Sequence, residues 1–442
     1  MRYLPLLIFI VGCTAREPVE LSAAPYTSDS GNLFIKCGAL IDGVSESVAT
    51  ETWIAIEAGR IAERTYAGNG IDPSAAILDL SDYTCLPGLI NTHVHLATYP
   101  EDALDYSVYE RRTDADHLRI TLENAEITLK TGFTTVRNVG EFFPEPIYAG
   151  QELINAGEAV GPRIFAAGPY LTIPGGGGDL ITPELPVERI PPAARQGVAT
   201  TPDEFADRAR KAIENGADHL KVIASGAVFS FGSDPGAPEM TEDDIRAVVE
   251  VAHAAGLQVT AHVHSAQSGK DAVRAGVDSI EHASLLDDEA LRMVADAGVA
   301  LSMDVYNGTY TDTIGREQGY PENYLRRNYD TTEAQRVVFE KAYAAGITIL
   351  YGTDAGVLPH TMGGWQFGIM VDRGMSPMDA IFSATSWAAD HMNISDDVGA
   401  IEVGRYGDLI AVKGNPLDDI TVLQDVDVVI KGGLVFKLPP DL

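Results

Sequence analysis

The chain of 442 residues is poor in positive charge, with 31 lysine and arginine residues against 64 aspartate and glutamate residues and a formal net charge of −33. A surface of this sign repels nucleic acid and anionic membranes, so we exclude both as partners. The acidic residues form no long block of like charge, which indicates a solvated surface and not an interaction tail. No GK[ST] follows the glycine run at 175–179, so that run does not resemble a phosphate-binding loop.

A long hydrophobic run is also missing. The N-terminal stretch MRYLPLLIFIVGC carries one arginine, followed by an apolar run that is too short to cross a bilayer as a helix. Its end, with Gly12 before Cys13, is similar to the lipobox of bacterial lipoproteins, in which the chain is cut before an acylated cysteine. We therefore predict a signal peptide over 1–12, lipidation of Cys13 and a polar tether over 13–31. The alternative is an ordinary secretory signal in which this cysteine is incidental.

These features predict a protein that faces the periplasm and contacts the membrane only through its N-terminal lipid. Thr14 stands where many such lipoproteins carry an aspartate that retains them in the inner membrane, so we expect the outer membrane. A soluble secreted protein is the alternative. Besides Cys13, the only cysteines are Cys37 and Cys85. They could pair in an oxidising compartment or remain two buried thiols, and the sequence leaves both open.

Both ends of the chain are rich in short strand patterns, whereas the middle alternates between apolar strand-like runs and helical patterns. We predict a small β-sandwich domain assembled from 32–86 and 396–442, with a larger domain inserted over 87–395. Eight strand-helix repeats in that insert favour the α/β class and a (β/α)8 TIM barrel. The eight predicted strands cover 89–95, 134–140, 163–171, 219–225, 258–264, 279–284, 300–306 and 348–356.

Catalytic groups of such barrels lie at the carboxyl ends of the strands, beside the loops that follow. Three loops are long and are expected to form walls of a site, at about 172–200, 226–240 and 307–331. Seven ionisable residues fall within or at the ends of the predicted strands. They are His93, His95, Lys221, His262, His264, His282 and Asp354.

Residues two apart in a strand face the same way, so His93 and His95 can enter the barrel mouth together. Any one of the seven alone could be a core or turn residue. So many polar groups around one apolar barrel are costly unless something pairs them. Imidazole and carboxylate together suit zinc and related divalent ions, so the set predicts a metal site.

The motifs PGLINTHVHL, GFTTVRNVG, HLKVIASGAVFS, AHVHS, SIEHAS and YGTDAG follow in the order of the amidohydrolase superfamily. GRYGDLIAVKGNPLDDI is similar to its closing motif, so the chain resembles that family over about 33–437. Within it, KVIASG, EMTEDDIRAVVEVAHAAG and GMSPMDAI are most similar to one branch. That branch contains Xaa-Pro dipeptidases, basic-residue carboxypeptidases and the ochratoxin-hydrolysing amidase.

The resemblance implies two divalent metal ions, with zinc expected, and a bridging hydroxide as the nucleophile. Asp354 would take the proton of that nucleophile and pass it to the leaving amine. The implied ligands are His93, His95 and Asp354 for one ion, His262 and His282 for the other, and Lys221, as a carbamate, between them.

His264 would then face the substrate. Tyr306, after the seventh strand, and His360, after the eighth, are further candidates for substrate contact, although Tyr306 could equally be a core residue. Arg137 could bind a carboxylate, but a salt bridge within the barrel is the preferred interpretation. Many relatives carry a histidine in the loop where this chain has GGGGD at 175–179, so their substrate preference cannot be transferred.

We therefore predict a metal-dependent amidohydrolase that cleaves an amide bond in a dipeptide or N-acyl amino acid, as a Xaa-Pro dipeptidase does. One alternative is a cyclic amide, lactone or carbamate hydrolase on the same site. The other is a non-catalytic binding protein on this fold, which the retention of all six ligands disfavours. The expected partner is a small molecule, and the sequence leaves the oligomeric state open, a homo-oligomer included.

Overall fold

A computed structural model of the chain describes residues 32–65 and 77–440. The predicted signal peptide, Cys13 and tether lie outside the described residues. The strands are β1 (Asn32–Leu40), β2 (Ala49–Glu57), β3 (Arg60–Thr65), β4 (Ile77–Pro87), β5 (Leu89–Val94), β6 (Phe133–Asn138), β7 (Arg163–Ala166), β8 (Leu220–Ile223), β9 (Val259–Ser265), β10 (Ser279–Leu285), β11 (Ala300–Met303), β12 (Ile349–Tyr351), β13 (Leu409–Lys413), β14 (Val428–Lys431) and β15 (Leu434–Lys437).

Most α-helices lie between the strands of the middle region. They are α1 (Val108–Arg111), α2 (Asp114–Lys130), α3 (Glu145–Asn155), α4 (Pro202–Glu214), α5 (Glu242–Ala254), α6 (Ala266–Ala275), α7 (Asp288–Ala297), α8 (Asn307–Tyr310), α9 (Arg316–Gln318), α10 (Glu322–Ala344), α11 (Gln366–Asp372), α12 (Pro377–Ser383) and α13 (Ser386–His391). No helix within 32–65 and 77–440 combines the length and the apolar character that a membrane crossing needs.

Both ends of the chain contribute to one seven-stranded sheet, in the order β15-β14-β13-β4-β1-β2-β3. Its buried apolar side chains form a cluster in which Ile35 and Ile54 from the N-terminal strands join Val428 from the C-terminal strands. The sheet is therefore sandwich-like. A disulfide joins Cys37 on β1 to Cys85 on β4, with the Cα atoms 6.0 Å apart, so the structure decides between the two alternatives that the sequence left open.

The middle region contains eight parallel strands in two sheets, one ordered β12-β11-β10-β9-β8 and the other β5-β6-β7. All eight coincide with predicted strands, which confirms the α/β class. Helices cover parallel strands on their outer side, and β9 is accordingly buried at every position. The edges of the two sheets meet through parallel bridges between Val94 and Ala355 and between Leu171 and Val222.

Several boundaries differ from those predicted. The third, seventh and eighth strands of this region end earlier than expected, at Ala166, Met303 and Tyr351. The segment 307–331, predicted as a long loop, is mostly helical, with α8, α9 and the start of α10. Helix α4 begins after Thr201, whose hydroxyl accepts from the Glu204 amide at 3.3 Å, and a proline occupies the first helical position.

Candidate metal centre

A cavity of about 150 Å³ lies at the carboxyl ends of the parallel strands. Its size suits a small molecule. The seven ionisable residues selected from the sequence all line it, and none is more than 9% exposed. They are His93, His95, Lys221, His262, His264, His282 and Asp354.

The first histidine pair converges on one carboxylate. Nε2 of His93 and Nε2 of His95 lie 3.3 and 3.2 Å from the same Oδ1 of Asp354. The opposite ring nitrogens are held from behind, because Nδ1 of His93 donates to Glu281 at 2.7 Å and Nδ1 of His95 to the carbonyl of Gly140 at 2.8 Å. Metal-binding histidines are oriented in this way, with the second nitrogen fixed by an acceptor.

The second histidine pair packs against His282. The ring centroids of His262 and His264 lie 4.4 and 4.8 Å from that of His282, and their ligand atoms lie within 4.8 Å of one another. Nε2 of His262 faces the carbonyl of Gly226 at 3.3 Å, whereas Nδ1 of His264 faces the hydroxyl of Ser284 at 2.8 Å. All three imidazoles are close enough to share one ion.

His282 connects the two groups. Besides the second pair, its ligand atoms lie within 4.8 Å of those of His93 and Asp354. Its backbone has φ 68° and that of Asp354 has φ 57°, a left-handed conformation that is uncommon away from glycine and recurs at functional sites. The register between β9 and β10 also shifts between His282 and Leu285. Nδ1 of His282 donates to Asp304 at 3.0 Å. The two donor groups therefore form one contiguous cluster.

Lys221 is the unpartnered group of the site. It is 1% exposed, and its Nζ makes no hydrogen bond to any residue within 32–65 and 77–440. Burial lowers the pKa of this amine to about 8. A buried amine without a partner is costly, so the position fits a lysine that is modified or that meets a ligand.

The charge states of three residues in the site, His262, His264 and Asp354, favour cation binding. Burial lowers the pKa of His262 well below its ordinary value and lowers that of His264 to about 3, so both rings are neutral at physiological pH. Burial acts to raise the pKa of Asp354, but hydrogen bonds and charges of His93 and His95 outweigh it and hold that pKa well below its usual value. Neutral imidazole and ionised carboxylate are the forms that bind metal.

Three residues that sequence reasoning missed hold the predicted ones in place. Glu281 accepts from His93, and Asp304 from His282. The hydroxyl of Tyr170 lies 3.0 Å from Nδ1 of His95. A carboxylate next to a candidate ligand, as in SIEHAS, is a signal that could have identified Glu281, whereas no local pattern points to Tyr170.

The preferred interpretation of Arg137 is confirmed, since it forms a buried ion pair with Glu281 at 2.6 Å. Tyr306 and His360 are not among the described residues that line the cavity. Tyr306 precedes α8 and packs against Trp365, with ring centroids 5.8 Å apart. His360 is buried, and its Nδ1 lies 2.8 Å from the hydroxyl of Thr128. Substrate contact by either residue stays a prediction that this cavity does not support.

Comparison with known proteins gives a consistent result. Residues 84–435 match the sequence profile of the Amidohydrolase family. The ochratoxinase of Aspergillus niger is 28% identical over 372 residues, which cover 80% of this chain and 76% of that protein. A solved Xaa-Pro dipeptidase with methionine bound in its active site is 34% identical, with a TM-score of 0.85, over 92% of this chain and 100% of that one. A prolidase complexed with N-methylphosphonate-L-proline is 28% identical, with a TM-score of 0.83 over the same shares.

Proposed function

The chain belongs to the amidohydrolase family and is a hydrolase that acts on amide bonds, and from this premise we propose that it cleaves a dipeptide or an N-acyl amino acid at a binuclear metal centre. The observation that carries the proposal is the convergence of five histidines, Lys221 and Asp354 in one cavity. Methionine and a proline derivative are bound by two of the similar proteins, which supports an amino-acid derivative as the substrate.

The donor set fits two divalent ions, with zinc as the expected metal, because each imidazole of the set has one ring nitrogen held by a neighbour and the other available. The unpartnered Nζ of Lys221 fits a carbamate, which would replace a cation among cations by an anion. When bound, the ions would supply a water of lowered pKa and polarise the scissile carbonyl. The proposed ligands are His93, His95 and Asp354, then His262 and His282, with Lys221 between them.

Asp354 is proposed to move the proton. Its low pKa makes it an ionised acceptor, and Nδ2 of Asn307 donates to its Oδ2 at 2.9 Å, which fixes the orientation of the carboxylate. The same carboxyl can then donate to the leaving amine. His264 is proposed to donate to the substrate carbonyl or carboxylate, since Ser284 holds Nδ1 and leaves Nε2.

The closed barrel, the second domain and the cellular location are part of the same proposal. We infer that the two parallel sheets form one closed (β/α)8 barrel over 87–395, supported by the bridges at both sheet edges. The seven-stranded sheet supports a second domain built from 32–86 and 396–442. The disulfide between Cys37 and Cys85 supports an oxidising compartment such as the periplasm, with the lipid anchor at Cys13 as proposed from the sequence.

One observation favours a second candidate function, with a different class of substrate. Apart from Lys221 at the ligand cluster, the described residues that line the cavity include no lysine and no arginine. A carboxylate on the substrate therefore meets no permanent positive side chain there. This favours an uncharged cyclic amide, lactone or carbamate as the alternative substrate.

Elemental analysis and a substrate panel test the proposal together. We expect about two equivalents of metal per chain and hydrolysis of dipeptides or N-acyl amino acids that a chelator abolishes. Less than one equivalent of metal would contradict the binuclear centre. Turnover of cyclic amides, lactones or carbamates, with none of dipeptides or N-acyl amino acids, would favour the second candidate.

A further inference from the structure

Five aromatic residues are among the described residues that line the cavity. Their rings come from the segments that follow β5, β6, β7 and β8, and those of Tyr109, Phe142 and Tyr170 contact in series edge to face. The ring centroids of Tyr109 and Phe142, and those of Phe142 and Tyr170, are both 5.1 Å apart. The aromatic residues that line the cavity are Tyr106, Tyr109, Phe142, Tyr170 and Phe229. We name these five the aromatic wall.

The wall reaches the ligand cluster. Tyr170 belongs to it, and its hydroxyl lies 3.0 Å from Nδ1 of His95. Its ring centroid is 5.7 Å from that of the same histidine. A group that packs on the wall would therefore lie next to the reacting centre, where it can influence which substrates are positioned for cleavage.

Phe229 is held in place by residues from other elements. The hydroxyl of Tyr106 donates to its backbone carbonyl. Its ring packs edge to face on Tyr320 and Tyr324, with ring centroids 5.8 and 5.7 Å away. Contacts from two sides fix the ring in one position, which is what a selective pocket requires.

Arg327 on α10 holds the loop that carries Phe229. Its Nη1 donates to the carbonyls of Val228 and Ser230, the two neighbours of Phe229. The guanidinium thus bonds to backbone oxygens on both sides of the aromatic residue. It acts on the substrate only through the loop, so we regard it as a positioning residue.

Helix α10 contributes lining residues of a different chemistry. The residues of α10 that line the cavity are polar and uncharged: Asn328, Thr331, Thr332 and Gln335. A cavity lined by these aromatic rings and by neutral hydrogen-bonding groups accommodates a flat apolar group, and away from the ligand cluster its described lining offers no salt-bridge partner to a charged side chain.

Resting on the proposed amidohydrolase function, we propose that Phe229 is a specificity-determining residue, which selects substrates that carry a planar apolar group beside the scissile amide. The ring of the substrate stacks on the aromatic wall. Substrates with a methyl group in its place bind less well, and those with a charged side chain are rejected.

Two matched substrate pairs test this proposal. N-Benzoylglycine and N-acetylglycine place the ring on the acyl side, and N-acetylphenylalanine and N-acetylalanine place it on the amine side. We expect kcat/KM to favour the aromatic member of at least one pair by about tenfold or more, expressed mainly in KM. No preference in either pair would overturn the proposal.

The chain offers a matched control variant. Phe231 lies in the same loop, is 45% exposed and is not among the described residues that line the cavity. Phe229→Ala should reduce the preference to about threefold or less, whereas Phe231→Ala should leave it unchanged and Phe229→Tyr should retain it. A preference that survives Phe229→Ala, or that both alanine variants lose equally, would contradict the proposal.

Arg327→Met tests the positioning role, because it keeps the aliphatic stem and removes the two hydrogen bonds. KM for the aromatic substrate should rise about threefold with kcat unchanged. An equal rise for both members of the pair would show a general role in stability instead.

Failure of the proposed function can be told apart from failure of this inference. If the wild-type enzyme hydrolyses none of the four compounds, calorimetric binding of benzamide and acetamide still measures the preference of the cavity. Tighter binding of benzamide that Phe229→Ala abolishes would support the specificity role without the proposed reaction. Equal binding of both amides would overturn it.

Discussion

His93 and His95 are separated by one valine, as are His262 and His264, and each pair lies at the carboxyl end of a buried parallel strand. Their surroundings differ. The first two rings are held by a carboxylate and a carbonyl, and both Nε2 atoms approach one oxygen of Asp354. In the second pair one ring is held by a carbonyl and the other by a hydroxyl.

The group that holds each ring decides which of its nitrogens carries the proton. Carboxylates and carbonyls only accept, so the held nitrogen of His93, His95 and His262 carries a proton, and in the neutral ring the lone pair is on the other nitrogen. A hydroxyl can donate or accept, so Ser284 leaves His264 free to adopt either tautomer. Two identical tripeptides can therefore have different roles, because different hydrogen-bonding groups hold their rings. Three ligands and one substrate donor is the division we propose.

The largest effect is expected from His262→Ala. Loss of a ligand should lower the bound metal to about one equivalent and reduce kcat/KM by roughly a thousandfold or more. Elemental analysis and steady-state kinetics measure both. His253→Ala removes an exposed histidine and should change neither. Full metal content in His262→Ala would remove His262 from the ligand set.

A smaller effect is expected from His264→Ala, and this variant separates the two members of the pair. If His264 is a substrate donor, the variant should keep two equivalents of metal and lose about 10²-fold to 10³-fold in kcat. Elemental analysis and steady-state kinetics again measure both effects. Equal loss of metal in His262→Ala and His264→Ala would make the second pair a ligand pair like the first.

Glu281→Gln tests the hydrogen bond that orients His93 in the first histidine pair. Removal of the charge that orients His93 should weaken metal affinity by about tenfold to a hundredfold, as loss of such partners typically does. Competition with a chelator measures the affinity. Ser284→Ala is the matched variant behind the second pair and should leave the affinity within about threefold, because His264 is not a ligand in this proposal. A larger loss in Ser284→Ala would reverse the assignment.

The smallest effect concerns Lys221, the residue that would bridge both metal sites. Only the neutral amine reacts with carbon dioxide, and a pKa of about 8 makes it mostly neutral above that pH. With dissolved carbon dioxide held constant, reactivation of metal-free protein by zinc should rise roughly eightfold from about pH 7 to 8.5, then level off near pH 9. A rate that still climbs steeply at about pH 10 would indicate an ordinary lysine.

The same shift has a consequence for stability. The folded protein lowers the pKa of Lys221 below its unfolded value of about 10.5, so the neutral form is the one that folding favours. In metal-free protein this contribution is fully present above the unfolded pKa and is lost as the pH falls through about 8. Lys221→Met should remove this pH dependence.

Much of the site could be predicted because it depends on local patterns. Apolar runs identify the eight parallel strands, and the strand-end rule selects the seven ionisable residues that share the cavity. The predicted seventh strand reaches 306, which places Tyr306 at a strand end. The strand ends at Met303, so Tyr306 lies at the start of α8 and packs on Trp365 instead.

The sequence by itself determined the α/β repeat, the amidohydrolase resemblance, and the type and spacing of the candidate ligands, because periodicity and strand ends are properties of neighbouring residues. The tertiary structure decided the pairing of Cys37 with Cys85 and the contact of Glu281 with His93. It also decided the place of Phe229 in the cavity. Each of these depends on distances between atoms far apart in the chain, which hydrogen-bond geometry and packing fix only when the whole fold has formed.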